Sequence, residues 1–292
     1  MEFPTTDSWL LTSFVHCDRR RRLRTLRGCP VWQSTTAITM LLLLLSGTGF
    51  SAAGQITATT PDGRSSLGSI AGTIDYQGEV PTFHITDNTG RLRPLLQVGK
   101  AGRGLQYAVV YLKPVDGKAP PEDKATTIKA PPAVTIDQVD ETFVPHLTAV
   151  RVGQEVVFTN SDHANHSVRT ATLVAENQFN VVVGPTQEYV HRFRAARKTR
   201  PVGLLCDIHP WMRGWIYVFD QPYFAVTDRK GKFRIDNVPT GQYRLAARQP
   251  DVGFAREREI QVVASKTTRA HFTFRQKDVK RFKPVTKRET RR

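Results

Sequence analysis

The chain has 292 residues, with 42 Lys and Arg against 26 Asp and Glu for a formal charge of +16. That length suits a leader segment and about two modest domains, because single cores rarely grow past roughly 250 residues. Three cysteines are too few for a disulfide framework or a four-cysteine zinc module, and the charge by itself implies only attraction to something anionic.

The first predicted element is a secretion signal. Ala37 to Leu45 is a short apolar run, preceded by Arg19, Arg20, Arg21, Arg22, Arg24 and Arg27 and followed by Ser51-Ala52-Ala53. A basic region, an apolar stretch too short to span a bilayer and a small-residue exit together read as an export signal, with cleavage expected near Ala53. If uncut, the segment would serve as an anchor. Cleavage removes Cys17 and Cys29 and leaves Cys206 as the one cysteine of the mature chain. The first 53 residues carry six Arg and three acids, so the remainder keeps +13. Residues 54–65 read as a linker.

Beyond the linker, helical periodicity is hard to find. Short β-branched and aromatic runs alternate with Gly, Pro, Asp and Asn, the pattern of an all-β sandwich. Strands are predicted at Ser69 to Tyr76, Leu105 to Leu112, Ala133 to Ile136, Thr148 to Val152, Glu155 to Asn160, Ser167 to Thr170, Tyr189 to Phe193, Val202 to Cys206 and Trp215 to Phe219. Pro114 to Lys129 reads as an exposed loop. After Pro222 the pattern resets into strand and turn: Phe224 to Thr227, a turn at Asp228-Arg229-Lys230-Gly231, Phe233 to Ile235, a turn at Asn237 to Gly241, Tyr243 to Ala246, Glu259 to Val263 and Arg269 to Phe274. Arg275 to Arg292 holds nine Lys and Arg and two acids, a net +7, and reads as a solvated tail.

The segment richest in chemistry is Cys206-Asp207-Ile208-His209-Pro210-Trp211-Met212. Thiolate, imidazole and thioether on one tight loop are the soft ligands that copper selects. About 40 residues upstream, the strand ending at Asn160 is followed by Ser161-Asp162-His163-Ala164-Asn165-His166-Ser167. A histidine from there completes a His2Cys set with Met212 as a long axial ligand, the blue-copper arrangement. His166 is favoured over His163 because it heads the next strand. His146 reads as an orienting or surface histidine, and His84, His191 and His271 as solvated. Trp215, Tyr217 and Phe219 alternate on one strand face and read as packing residues.

On these motifs the chain resembles the cupredoxins, and within them the plastocyanin and amicyanin group, whose short ligand loop also runs His, Pro, aromatic, Met. The resemblance extends to exported methylamine-utilisation-type proteins and covers roughly residues 66 to 275. It implies one type 1 copper held by His166, Cys206, His209 and Met212, and an electron carrier rather than an enzyme. Many cupredoxins place Asn after the first ligand histidine to tie the two ligand segments together; here Ser167 stands there, and a hydroxyl can still bridge. The residues from 221 to 275 resemble the carboxypeptidase regulatory-like, or transthyretin-like, β-sandwich. The expected organisation is therefore a signal at 1–53, a linker at 54–65, a cupredoxin Greek-key sandwich at 66–220, a small transthyretin-like sandwich at 221–275 and a basic tail at 276–292.

The resemblance implies transient redox partners docking near His209 and Trp211, a monomer, and a periplasmic or secreted location. The tail could be drawn to an anionic envelope surface; export removes nucleic acid as a partner. Copper storage or delivery without electron transfer is the alternative reading. An oxidase is disfavoured because the chain has no His-x-His pair for further copper ions.

Overall fold

A computed structural model describes residues 67–113, 131–194 and 200–280. The signal, the linker, the whole of the Pro- and Lys-rich loop and the tail beyond residue 280 lie outside the described residues.

The protein is all-β. In chain order the strands are β1 (Leu67–Gln77), β2 (Thr82–Thr86), β3 (Leu92–Pro94), β4 (Val109–Lys113), β5 (Val134–Val139), β6 (Thr142–Val144), β7 (Leu147–Arg151), β8 (Glu155–Asn160), β9 (His166–Ala171), β10 (Asn180–Val183), β11 (Glu188–Arg192), β12 (Val202–Leu205), β13 (Arg213–Phe219), β14 (Phe224–Val226), β15 (Lys232–Pro239), β16 (Gly241–Gln249), β17 (Phe254–Val262) and β18 (Thr267–Arg275). Each strand predicted from the sequence is present to within a few residues. The sequence pattern does not show β2, β3, β6 and β10, of three to five residues each, which are too short for alternation to register.

A five-stranded sheet in the order β10-β9-β12-β13-β7 and a four-stranded sheet in the order β11-β8-β5-β6 contribute to one core, which includes Ile136, Phe158, Val168, Leu204, Cys206, Met212 and Ile216. A second core, with Ile70, Ile74, Tyr76, Leu112, Phe233, Leu245, Phe254, Phe272 and Phe274, draws on a three-stranded sheet β15-β1-β18 and a four-stranded sheet β14-β4-β16-β17.

This topology corrects the expected boundaries. β1 and β4 pair with the C-terminal strands: β1 runs antiparallel to β15 and parallel to β18, and β4 lies between β14 and β16. The second sandwich is therefore built from both ends of the described chain, with the first inserted between β4 and β14. Alternation along Ile70 and Ile74 marks a strand with one buried face, but carries no record of the partner, which lies close to 200 residues away (Ser69 opposite Thr267).

A third cluster joins the two sandwiches. Tyr217 and Phe219 of β13, with Trp215 beside them, pack on Val109, Tyr111 and Ala246 of the second sandwich. At the rim of this contact, His146 Nε2 lies 2.8 Å from Asp251 Oδ2, while Trp215 Nε1 donates to Asp251 Oδ1 at 2.7 Å and Gln249 Nε2 to Oδ2 at 2.7 Å. Burial alone would lower the His146 pKa, but the Asp251 carboxylate outweighs it and raises it. Burial likewise works against Asp251 ionisation, yet His146 and the Trp215 and Gln249 donors hold its pKa low. His146 is thus a link between sandwiches.

The sharp turn at Asp228 shows why Gly231 is needed. Asp228 Oδ1 accepts from the amides of Lys230 and Lys232, both at 2.8 Å, and Gly231 closes the turn at φ +71°. A Cβ at Gly231 would lie 2.1 Å from the carbonyl oxygen of Ile74, whereas one at Gly90, also at positive φ, would meet nothing within 4 Å. Left-handed backbone costs a non-glycine residue about 1–2 kcal/mol. Gly90→Ala should lose about that much in urea denaturation, and Gly231→Ala clearly more, because the backbone at Ile74 must also move; equal losses would dismiss the close approach.

The interface pair makes a prediction about pH. A histidine with a raised folded-state pKa stabilises fully below its unfolded value, near 6.5, and that contribution is lost as pH rises through the raised value. Asp251 adds stability above about 3.8 that fades as pH falls through its depressed value. The stability difference between wild type and Asp251→Asn should therefore be largest between these two limits and shrink as pH rises through the raised His146 value. A difference that is flat with pH, measured by urea denaturation across that range, would remove His146 ionisation from the interface.

Candidate metal centre

The centre forms where β9 and β12 part. Their antiparallel pairing runs from Gly203 opposite Ala171 to Leu205 opposite Arg169. Beyond it, Cys206 leaves β12 into the ligand loop while His166 and Ser167 begin β9. The loop closes on itself: Met212 N–H donates to the His209 carbonyl at 2.9 Å, and Cys206 N–H to the Met212 carbonyl at 3.4 Å. These bonds bring a C-x2-H-x2-M spacing into one turn.

His166, Cys206 and His209 converge, with one potential ligand atom from each lying within 4.8 Å of the others. His166 Nδ1 is 2.9 Å from His209 Nδ1, and Cys206 Sγ is 3.9 Å from the latter. His166 is wholly buried, Cys206 and Met212 nearly so, and His209 half-buried. Burial, with His166 alongside, lowers the His209 pKa and favours its neutral, ligating form. Of the two upstream candidates, His166 enters the cluster; His163 is exposed outside it. Met212 sits in the same core cluster as Cys206.

Ser167 makes the bridge expected of it. Its hydroxyl accepts from Asp207 N–H at 2.7 Å and points a donor at Cys206 Sγ at 3.8 Å, and its backbone N–H donates to the same sulfur at 3.3 Å. Outside this joint, Asp207 is gripped by Arg169 Nε at 2.5 Å and Asn180 Nδ2 at 2.8 Å. Those two bonds hold its carboxyl below the usual range, the Arg169 bond most of all.

Two residues at the centre are not singled out by the sequence pattern. Asp162 Oδ2 lies 2.8 Å from His166 Nε2. Glu141, in the turn between β5 and β6, accepts from Trp211 Nε1 at 3.1 Å, and the Trp211 ring stands 5.2 Å from that of His209. The only cue to Asp162 is an acid four residues before a histidine in a loop, a common spacing. His191 departs from expectation in another way: it is half-buried among Phe179, Tyr189 and Phe193, whose rings lie 4.7, 6.4 and 4.7 Å from it, and burial lowers its pKa. It projects from a strand edge into an aromatic cluster instead of water. His271 is exposed, bonded to Thr73 at 2.7 Å and paired with Asp75 at 2.8 Å. His84 has a side chain outside the described set.

The donor set fits a small soft metal ion. Bonds of about 2.0–2.3 Å to nitrogen and sulfur put neighbouring ligand atoms roughly 3–4 Å apart, a range that contains the 3.9 Å Sγ–Nδ1 separation and begins just above the 2.9 Å of the Nδ1 pair. Two imidazoles, a thiolate and a thioether are a copper-type set.

No family model and no curated protein matches the chain. Among solved structures, it is similar to a copper-containing nitrite reductase from Thermus scotoductus SA-01, at 24% identity over 37% of this chain and 25% of that one, with a TM-score of 0.27. The chain thus spans a quarter of that reductase's length. A reduced amicyanin variant is 23% identical over 32% of this chain and 88% of its own, with a TM-score of 0.27. A purple cupredoxin from Nitrosopumilus maritimus is 19% identical over 30% and 99%, with a TM-score of 0.26.

Ser167→Ala should remove both hydroxyl bonds and leave the Asp207 amide to solvent. A neutral bond is worth about 1 ± 0.5 kcal/mol net, so a loss of about 1–2 kcal/mol is expected in denaturant titration of the metal-free protein. A change within a few tenths of a kcal/mol would mean that the hydroxyl is not the joint.

Proposed function

We propose that this protein is an exported type 1 copper protein that carries single electrons between partners in the cell envelope. The observation that carries the reading is the convergence of His166, Cys206 and His209 at the divergence of two sandwich strands, with Met212, buried in the same core cluster as Cys206, as the residue that would add a thioether. Copper bound there supplies one-electron chemistry. The chain's own residues hold the donors in one place: the closed loop fixes Cys206 and His209, β9 fixes His166, and Ser167 ties the two together. A scaffold that barely moves suits a carrier, because little reorganisation accompanies a change of oxidation state.

His209 is the route to solvent. It alone of the three converging donors is half-exposed, and beside it Ile208 is 48% exposed, Pro210 is exposed and Trp211 is half-buried. That apolar rim supports transient docking of redox partners near His209 and Trp211 by a monomeric carrier. The basic tail adds attraction to anionic envelope surfaces, and the leader directs the chain to the periplasm or outside the cell. The second sandwich is transthyretin-like on its turn chemistry and serves as a rigid support.

Purified mature protein loaded with Cu(II) should become intensely blue, bleach reversibly with a mild reductant, and lose the colour in Cys206→Ser and His166→Ala. His163→Ala should keep it. A protein that takes up Cu(II) without colour, or prefers zinc, refutes the carrier; one that binds copper tightly but does not cycle points instead to storage or delivery.

A further inference from the structure

Asp162 is held by more than its contact with His166. Its Oδ1 accepts the backbone N–H of Asp140 at 2.7 Å, and its Oδ2 accepts that of Glu141 at 2.9 Å as well as facing His166 Nε2 at 2.8 Å. Its own N–H donates to Asn160 Oδ1 at 2.9 Å, and Asn160 Nδ2 bonds the carbonyls of Ala164 and Val183, both at 2.8 Å. The carboxylate therefore sits at a fixed place between the β5–β6 turn and the wholly buried His166 ring.

The turn is shaped to reach it. Asp140 and Glu141 both adopt φ +52°, an uncommon left-handed pair for residues other than glycine. That conformation presents two successive amides to one carboxylate. From outside, Arg93 of β3 braces the same turn, with Nη1 2.6 Å from Thr142 Oγ1 and near the carbonyls of Asp140 and Glu141. The Glu141 side chain continues the chain of contacts to Trp211 beside His209, and takes a bond from Asn88.

An acceptor-only carboxylate facing Nε2 requires the proton on that nitrogen. His166 as the Nε2–H tautomer then leaves its Nδ1 as the acceptor in the 2.9 Å contact with His209 Nδ1, with a lone pair that a bound metal ion would take instead.

We infer that Asp162 is a positioning residue for the metal centre: its carboxylate fixes the His166 tautomer, aims Nδ1 at the cluster, and adds negative charge one imidazole away that favours the more oxidised bound ion. This rests on the metal reading above for its second half only, since the tautomer belongs to the metal-free protein. Carboxylate–histidine–metal chains act this way in other metal sites, by orienting the ring and raising ligand basicity.

Two measurements test it. In metal-free wild-type protein, nitrogen-15 NMR should show His166 protonated on Nε2; protonation on Nδ1 would overturn the inference whether or not the protein binds copper. In copper-loaded protein, Asp162→Asn, which keeps the shape and an acceptor oxygen but removes the charge, should weaken Cu(II) binding by roughly 10- to 100-fold. Cu(I) binding should weaken less, so the reduction potential rises. An unchanged potential with unchanged Cu(II) affinity would reduce Asp162 to a turn brace and overturn the electronic role. Asp162→Glu, which keeps the charge, should return the potential towards wild type. If Asp162→Asn does not fold, a wild-type potential in Asp162→Glu and a clearly raised one in Asp162→Ala support the electronic role equally well, and equal potentials in the two overturn it. If wild-type protein binds no copper, the metal reading fails while the tautomer result still decides the positioning of His166.

Discussion

The candidate metal centre depends on a gap between two strands being bridged without being closed. β9 and β12 must pair to belong to one sheet, yet must separate at Ser167 and Cys206 so that ligands from both can face one point. Ser167 satisfies both demands with one small side chain. A hydroxyl offers one donor and two acceptor lone pairs; here it accepts from the Asp207 amide and directs its donor at the Cys206 sulfur, while the Ser167 amide bonds the same sulfur. Each such bond is modest in net energy. Their value lies in being buried and mutually consistent, so that the sulfur has one position.

That position is only as rigid as the sheet behind it, and the sheet is held from its far side. β13 continues from the ligand loop and pairs with β12, and its aromatic face packs on the second sandwich through Tyr217 and Phe219. The Asp251 carboxylate gathers His146 and Trp215 at the edge of that contact. Met212, at the end of the ligand loop, is one residue before β13, so a displacement of the second sandwich would be felt at the centre through one strand. The insertion topology strengthens this arrangement: both chain connections to the first sandwich, after β4 and before β14, leave from adjacent strands of one sheet.

How legible is this in the sequence? The ligand loop is plain, because chemistry and spacing coincide in seven residues, and His166 can be preferred to His163 from the strand that follows it. The alternating Trp215, Tyr217 and Phe219 announce a packed face, though not what packs there. Partners are hidden wherever they are distant: β1 shows its period but not β18, and β4 shows a buried run but not β16. The β5–β6 turn is hidden for a different reason. Asp140-Glu141 lacks the Gly or Asn that marks a left-handed hairpin turn, because its strain is offset by a carboxylate more than twenty residues away. Asp162 is invisible for the same cause, since its role exists only once turn and histidine are placed together. His146 and His191 can be counted but not placed.

Charge illustrates the distance between a global number and a local field. The chain carries +16, yet the side chains that surround the ligands include three acids: Asp162 on His166, Glu141 on Trp211 and Asp207 on Ser167. Two of them are compensated by arginines from neighbouring strands, Asp207 by Arg169 at 2.5 Å and Glu141 by Arg93 at 3.9 Å. Asp162 faces a histidine and two backbone amides instead, so its charge is directed inward, at the centre. The excess positive charge lies largely elsewhere, with a net +7 in the last eighteen residues and +3 in the first 53. The surface around His209 thus combines an apolar rim with compensated ion pairs, and the local field there is not the one that the net charge of the chain suggests.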